Sequence, residues 1–84
     1  MNIELYTVDY CPYCKKALRF FDERNLVYKN YDITQNEEEI RKKIGEMYNI
    51  TGRVTVPQII INGKHIGGYS DMINLYEQGK LNFQ

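Results

Sequence analysis

The chain lacks what a charged or membrane-bound partner would require. Eleven basic and eleven acidic residues cancel, so it carries no net charge at neutral pH. This argues against nucleic acid or an anionic membrane surface as the main partner, because an excess of positive charge holds both. No apolar run approaches the about 20 residues that span a bilayer. The opening Met1-Asn2-Ile3-Glu4 has neither a basic segment nor a long apolar one, so the expected location is the cytoplasm, a reducing compartment. Histidine occurs once, as His65, and cysteine only twice. A closed zinc site needs four ligands, so a partner or a small molecule would have to supply the rest. Repeats, linkers and low-complexity segments are missing too. The 84 residues are therefore expected to form one ordered domain over 1–84, with room for one core and not two.

What the chain does have is a cysteine pair at close spacing, Cys11-Pro12-Tyr13-Cys14. It follows an apolar, strand-like segment and precedes a helix-like one. Spacing i, i+3 brings both sulfurs to the first turn of that helix, where unpaired N–H groups and the helix dipole favour a negatively charged sulfur. As a staple the pair is poorly placed. Closing so short a loop restricts the unfolded chain by roughly 2 kcal/mol, against about 3 for a loop of 15 residues. Thiol–disulfide exchange is the chemistry this spacing favours, with metal ligation and an inert local pair as the alternatives. The exchanging sulfur must be accessible, so Cys11, ahead of the helix, is the expected nucleophile and Cys14 the resolving partner.

Along the chain, Ile3 and Leu5 alternate with Glu4 and Tyr6, which predicts a strand at about 2–8. Pro12 suits the first helical position, and a helix should run from there to a stop at Asn25. Val27 to Asp32 reads as a second strand. Thr34 followed by Glu37 reads as a capping box opening a helix over about 35–48, with Ile40, Ile44 and Met47 spaced for burial. The pairs Glu37–Arg41, Glu38–Lys42 and Glu39–Lys43 read as its solvated face, without a function. A loop spans 49–55, Gln58 to Asn62 is a strand, Asn62-Gly63 is a hairpin turn and Lys64 to Ile66 returns. Ser70 should cap a last helix that Gly79 ends, leaving a frayed tail over 80–84. The order βαβ, helix, hairpin, helix predicts an α/β fold with a four-stranded mixed sheet flanked by three helices, its first two strands parallel.

Three segments resemble the glutaredoxins, small oxidoreductases of thioredoxin-like fold. These are Cys-Pro-Tyr-Cys at 11–14, Thr55-Val56-Pro57 before a strand, and Gly67-Gly68-Tyr69-Ser70-Asp71 before the last helix. In order and at the expected spacings they span nearly the whole chain. Thioredoxin proper is disfavoured, because its usual Trp-Cys-Gly-Pro-Cys has no match and the chain contains no tryptophan. The resemblance implies glutathione as co-substrate, with Tyr13, Arg53, Thr55, Val56, Pro57, Gly68, Tyr69, Ser70 and Asp71 around it. It also implies a cis bond before Pro57, where the ordinary expectation is trans. Val56 could then pair its backbone with an extended thiol substrate. The start of the last helix would take the γ-glutamyl carboxylate and Asp71 the neighbouring ammonium. Many relatives carry a lysine three residues before the first cysteine, where Val8 stands here. Arg53 is the candidate to hold the glycyl carboxylate instead, and Val8→Lys should tighten binding.

The implied activity is glutathione-dependent reduction of glutathione mixed disulfides and protein disulfides, serving electron transport and redox homeostasis in the cytoplasm. No bound prosthetic group or metal is expected. The protein is expected as a monomer whose partners are glutathione and glutathionylated or disulfide-containing proteins, ribonucleotide reductase among the candidates. The rival from another class is an iron–sulfur carrier in which two chains share a cluster through Cys11 and glutathione. Pro12 counts against it, because related cluster binders more often have a small residue there.

Overall fold

Alternation decides the first strand. In the computed structural model, which describes residues 1–83, β1 (Ile3–Thr7) buries Ile3, Leu5 and Thr7 on one side and half-buries Glu4 and Tyr6 on the other. The chain continues through α1 (Pro12–Glu23), β2 (Lys29–Asp32), α2 (Glu37–Tyr48), β3 (Gln58–Ile61), β4 (Lys64–Gly67) and α3 (Tyr69–Glu77). The sheet order is β2-β1-β3-β4. β1 pairs with β2 in parallel and with β3 antiparallel, and β3 pairs antiparallel with β4. The expected mixed sheet with three helices is what forms. The segment expected as a frayed tail packs instead: Leu81 and Phe83 lie on the core cluster, the Phe83 ring 5.9 Å from those of Phe20 and Phe21, while Gln84 lies outside the described residues.

Every residue of β3 is buried, as a central strand covered on both faces must be. Ile59 and Ile61 join Ile3, Leu5, Ala17, Phe20, Phe21 and Met72 in one cluster, which places α1 and α3 together on that face. Ile60 points the other way, opposite His65 in the register. Tyr48, the last residue of α2, stacks on His65 at 4.7 Å between ring centroids, so α2 covers the second face. None of the described helices is long and apolar enough to cross a membrane.

Several boundaries differ from the sequence reading, each for a local reason. α1 stops at Glu23, and Asn25 turns left-handed at φ 56°, so the chain reverses where the asparagine suggested. β2 begins at Lys29 because the parallel register starts there, opposite Glu4, and Val27 is left exposed. The capping box at Thr34 does not form. The Thr34 hydroxyl donates to Asp32 at 2.5 Å and accepts the Asp9 backbone N–H at 2.9 Å, so residues 34–36 make one 3-10 turn and α2 starts at Glu37. Met47 is exposed on α2, and the buried positions are Ile44 and Arg41. Ser70 is not a cap either: Gly68 precedes α3, and its N–H donates to Asp71 Oδ2 at 2.9 Å. Asn62 and Gly63, at φ 54° and 77°, do make the expected hairpin turn.

Candidate active site

The loop after β1 delivers Cys11 to the start of α1, where it is the N-cap residue and Pro12 occupies the first helical position. Proline costs nothing there because its missing N–H has no intrahelical acceptor. The Cys14 backbone N–H donates to Cys11 Sγ at 3.1 Å, so the sulfur takes the place that an oxygen fills in most caps. Both cysteines are unbridged. Cys11 is 8 % exposed and Cys14 only 1 %, the order expected for attacking and resolving sulfurs. Around them pack Val8 and Ile33, with Tyr6, Tyr31, Ile40 and Val56 at the margin.

Burial pushes the Cys14 thiol up to about 12, from an ordinary value of 9.0. A hydrogen bond with Cys11 pushes the same way, and the Val8 backbone opposes it. The consequence for stability has a definite sign. The fold keeps Cys14 protonated where an unfolded thiol would ionise, so this contribution is intact below about pH 9.0 and is lost as pH rises toward 12. Reduced wild type should therefore lose more of its urea midpoint between neutral and alkaline buffer than Cys14→Ala does. Equal losses would place the Cys14 sulfur in water.

Opposite Cys11, the loop from Val54 enters β3 through a cis Val56–Pro57 bond. The Cys11 thiol faces the Val56 carbonyl at 3.6 Å. Gly68 meets the same loop from the β4–α3 junction: a Cβ there would lie 3.7 Å from the Pro57 carbonyl oxygen. Between these segments lies an open cleft of about 370 Å³, lined by Tyr13, Thr55, Val56, Pro57, Gly68, Tyr69, Ser70 and Asp71. Tyr13 is exposed, with its ring 6.2 Å from that of Tyr69 and under the Lys16 ammonium at 4.9 Å. The three sequence signatures thus converge on one surface.

Arg53 does not line this cleft. It borders a neighbouring hollow with Glu38, Arg41, Lys42, Gly52 and Val54, and its charge helps to keep Glu37 ionised. The two hollows meet where Val54 is followed by Thr55. Val8 is buried against both cysteines, so a lysine there would have to thread its stem through that cluster before reaching the cleft. His65 hydrogen-bonds Gln58 Oε1 at 2.6 Å through Nε2, and the Gln58 amide donates to the Thr55 carbonyl at 2.8 Å. His65 is accordingly structural.

Two residues with a bearing on the site escaped the sequence reading. Gln58 supports the Thr55 edge from β3. Arg41 belongs by its spacing to the solvated face of α2 but is 9 % exposed; Nη1 donates to the Val54 carbonyl at 2.6 Å and Nη2 to Glu37 at 2.5 Å. The i, i+4 pair with Glu37 was legible, and its burial was not.

A pair of thiols at a helix start, facing a backbone edge across an open cleft, is suited to thiol–disulfide exchange. The comparisons agree. The glutaredoxin family model matches residues 3–66. Glutaredoxin-C4 of Arabidopsis thaliana is 43 % identical over 82 residues, which cover 95 % of this chain and 58 % of that protein. The chain thus spans less than two thirds of that relative. Glutaredoxin 3 of Escherichia coli is 38 % identical over 80 residues, covering 95 % of this chain and 92 % of that one. Among solved structures, a buckwheat glutaredoxin–glutathione complex superposes with a TM-score of 0.82 at 30 % identity, over 94 % of this chain and 71 % of the other. With about three quarters of its length and the first two of its three signatures inside the matched segment, this chain belongs to the glutaredoxin family.

Proposed function

We propose that the protein is a glutathione-dependent thiol–disulfide oxidoreductase that acts as a monomer in the cytoplasm, on glutathionylated proteins and on protein disulfides. The observation that carries this reading is the cleft itself. Every residue the sequence suggested for glutathione, Arg53 excepted, meets there beside Cys11. The buckwheat relative of similar fold is a glutathione complex, which supports the same ligand for this cleft.

The residues suggest how the steps divide. The cysteinyl part of glutathione would lie against the Val56 backbone, in β-strand fashion, bringing its sulfur to Cys11. The first turn of α3 offers backbone N–H groups to the γ-glutamyl carboxylate, and Asp71 offers charge to the ammonium beside it. Cys11 thiolate attacks the glutathionyl sulfur, the substrate disulfide breaks, and the protein thiolate leaves and is protonated by water. A second glutathione thiolate then attacks the Cys11–glutathione disulfide, releasing glutathione disulfide and restoring Cys11. Glutathione reductase and NADPH return the electrons upstream. For protein disulfides Cys14 displaces the substrate thiol from Cys11. That step waits on loss of a proton the fold holds tightly. Ribonucleotide reductase is one protein this route would serve.

A coupled assay with glutathione and glutathione reductase, on a glutathionylated peptide, tests the reading. Turnover is expected there, and turnover only with thioredoxin reductase would contradict it. In the same assay Asp71→Ala and Arg53→Ala should each raise KM several-fold. A charge-assisted contact contributes about 1.5–3 kcal/mol at most and less where water reaches it. The two losses should add if Arg53 reaches the ligand from the neighbouring hollow, at the end opposite Asp71. If Arg53→Ala leaves KM untouched, the glycyl carboxylate is held elsewhere.

A further inference from the structure

One ion pair, with Arg41 buried and Glu37 half-buried, touches both walls of the catalytic cleft without lining it. Arg41 reaches from α2 to the Val54 carbonyl with one nitrogen and to Glu37 with another. The same Glu37 oxygen accepts the hydroxyl of Tyr10, the residue before Cys11. Val54 stands two residues before Val56, whose carbonyl faces the Cys11 thiol at 3.6 Å. Each partner in that sulfur–carbonyl contact is therefore one or two residues from an anchor on the pair.

Stability is a poor explanation for this arrangement. Desolvating the Arg41 charge offsets much of the attraction, and an ion pair taken out of water often does no better than apolar side chains of the same volume. Arg41 Nε is buried and unpartnered besides, a further cost that an interaction selected for stability would avoid. What the guanidinium provides and a hydrophobic side chain could not is a fork that holds the Val54 carbonyl with one nitrogen and, with the other, the α2 carboxylate that accepts the Tyr10 hydroxyl.

We propose that Arg41, locked by Glu37, is a positioning residue that sets the Val54–Pro57 edge against Cys11 and so governs attack on a bound disulfide, without itself contacting the reacting sulfur. This deepens the functional reading above and rests on it. Arg41→Lys keeps the charge and loses the fork; Glu37→Gln keeps the shape and weakens the lock. Each should lower kcat/KM for a glutathionylated peptide about tenfold, since small misplacement of reacting groups is costly. The double variant should lose little more than either single one, because both remove the same link. Alkylation of Cys11 by iodoacetamide does not use the edge, so its rate and pH profile should change less than twofold. Tyr10→Phe removes only the exposed end of the chain of contacts and guards against misfolding; it should lower kcat/KM by two- to threefold.

A parallel fall in alkylation would show that the substitutions disturb the cysteine pair itself rather than the edge opposite it, and would overturn the proposal. So would unchanged turnover in Arg41→Lys and Glu37→Gln. The backbone gives a readout independent of activity: heteronuclear NOE values at Thr55 and Val56 should drop in Arg41→Lys. If wild type fails to turn over glutathionylated peptide yet those values drop, the functional reading fails and the positioning role stands. If they do not drop, the positioning role fails.

Discussion

Replacing Cys11 by serine should abolish turnover of every disulfide substrate, while replacing Cys14 should not. Cys11 is the sulfur that reaches the cleft, facing Val56 with the Cys14 N–H behind it. A serine hydroxyl cannot form the mixed disulfide, so the loss is complete rather than partial. Cys14 lies behind it, 1 % exposed and held protonated by burial, and cannot take over the attack. Cys14→Ser should keep turnover of glutathionylated peptide, where a second glutathione resolves the intermediate, and lose the two-thiol route for protein disulfides. Initial rates on the two substrate types check both statements. Equal losses for the two variants on glutathionylated peptide would invert or dissolve the division of roles.

A second large effect is expected at the junction of β4 and α3. Gly67 has φ 113°, and a Cβ on it would sit 2.5 Å from Asp71 Oδ2, the oxygen that accepts the Gly68 N–H. Gly67→Ala therefore combines a strained backbone, about 1–3 kcal/mol, with loss of the contact that starts α3, about 1 kcal/mol. It should lower stability by about 2–4 kcal/mol and, by moving Ser70 and Asp71, raise KM for glutathionylated peptide about tenfold. Gly63→Ala is the control. Its φ is 77° but nothing lies within 4 Å of the added carbon, so it reports strain alone and leaves the cleft intact. Urea midpoints and KM for both variants decide the matter; a Gly67→Ala protein no worse than Gly63→Ala would mean the Asp71 contact is dispensable.

Local chemistry explains which features could be read without a structure. The helix start at Pro12, the reversal at Asn25 and the Asn62-Gly63 turn follow from residues whose backbone preferences are strong on their own. The cleft was legible because its parts lie in three short segments with a family pattern. Thr34 misled because its hydroxyl had a nearer partner in Asp32. Ser70 misled because glycine can precede a helix when an aspartate three residues on accepts its N–H. Arg41 is the instructive miss. A run of acids followed by bases at i, i+4 reads as a wet surface, and only the tertiary approach of Val54 to α2 turns one of those bases inward. Strand order was likewise beyond local reading, since it depends on which edge of β1 the hairpin joins.

The central claim, that Cys11 takes the glutathionyl group from a substrate bound in the Tyr13–Asp71 cleft, has a direct test in the intact mass of an intermediate. Cys14→Ser, mixed with one equivalent of a glutathionylated peptide and no free glutathione, should gain the mass of a single glutathionyl group on Cys11 as the peptide leaves as a free thiol. A peptide adduct on Cys11, or an unmodified protein beside unreacted substrate, would contradict it.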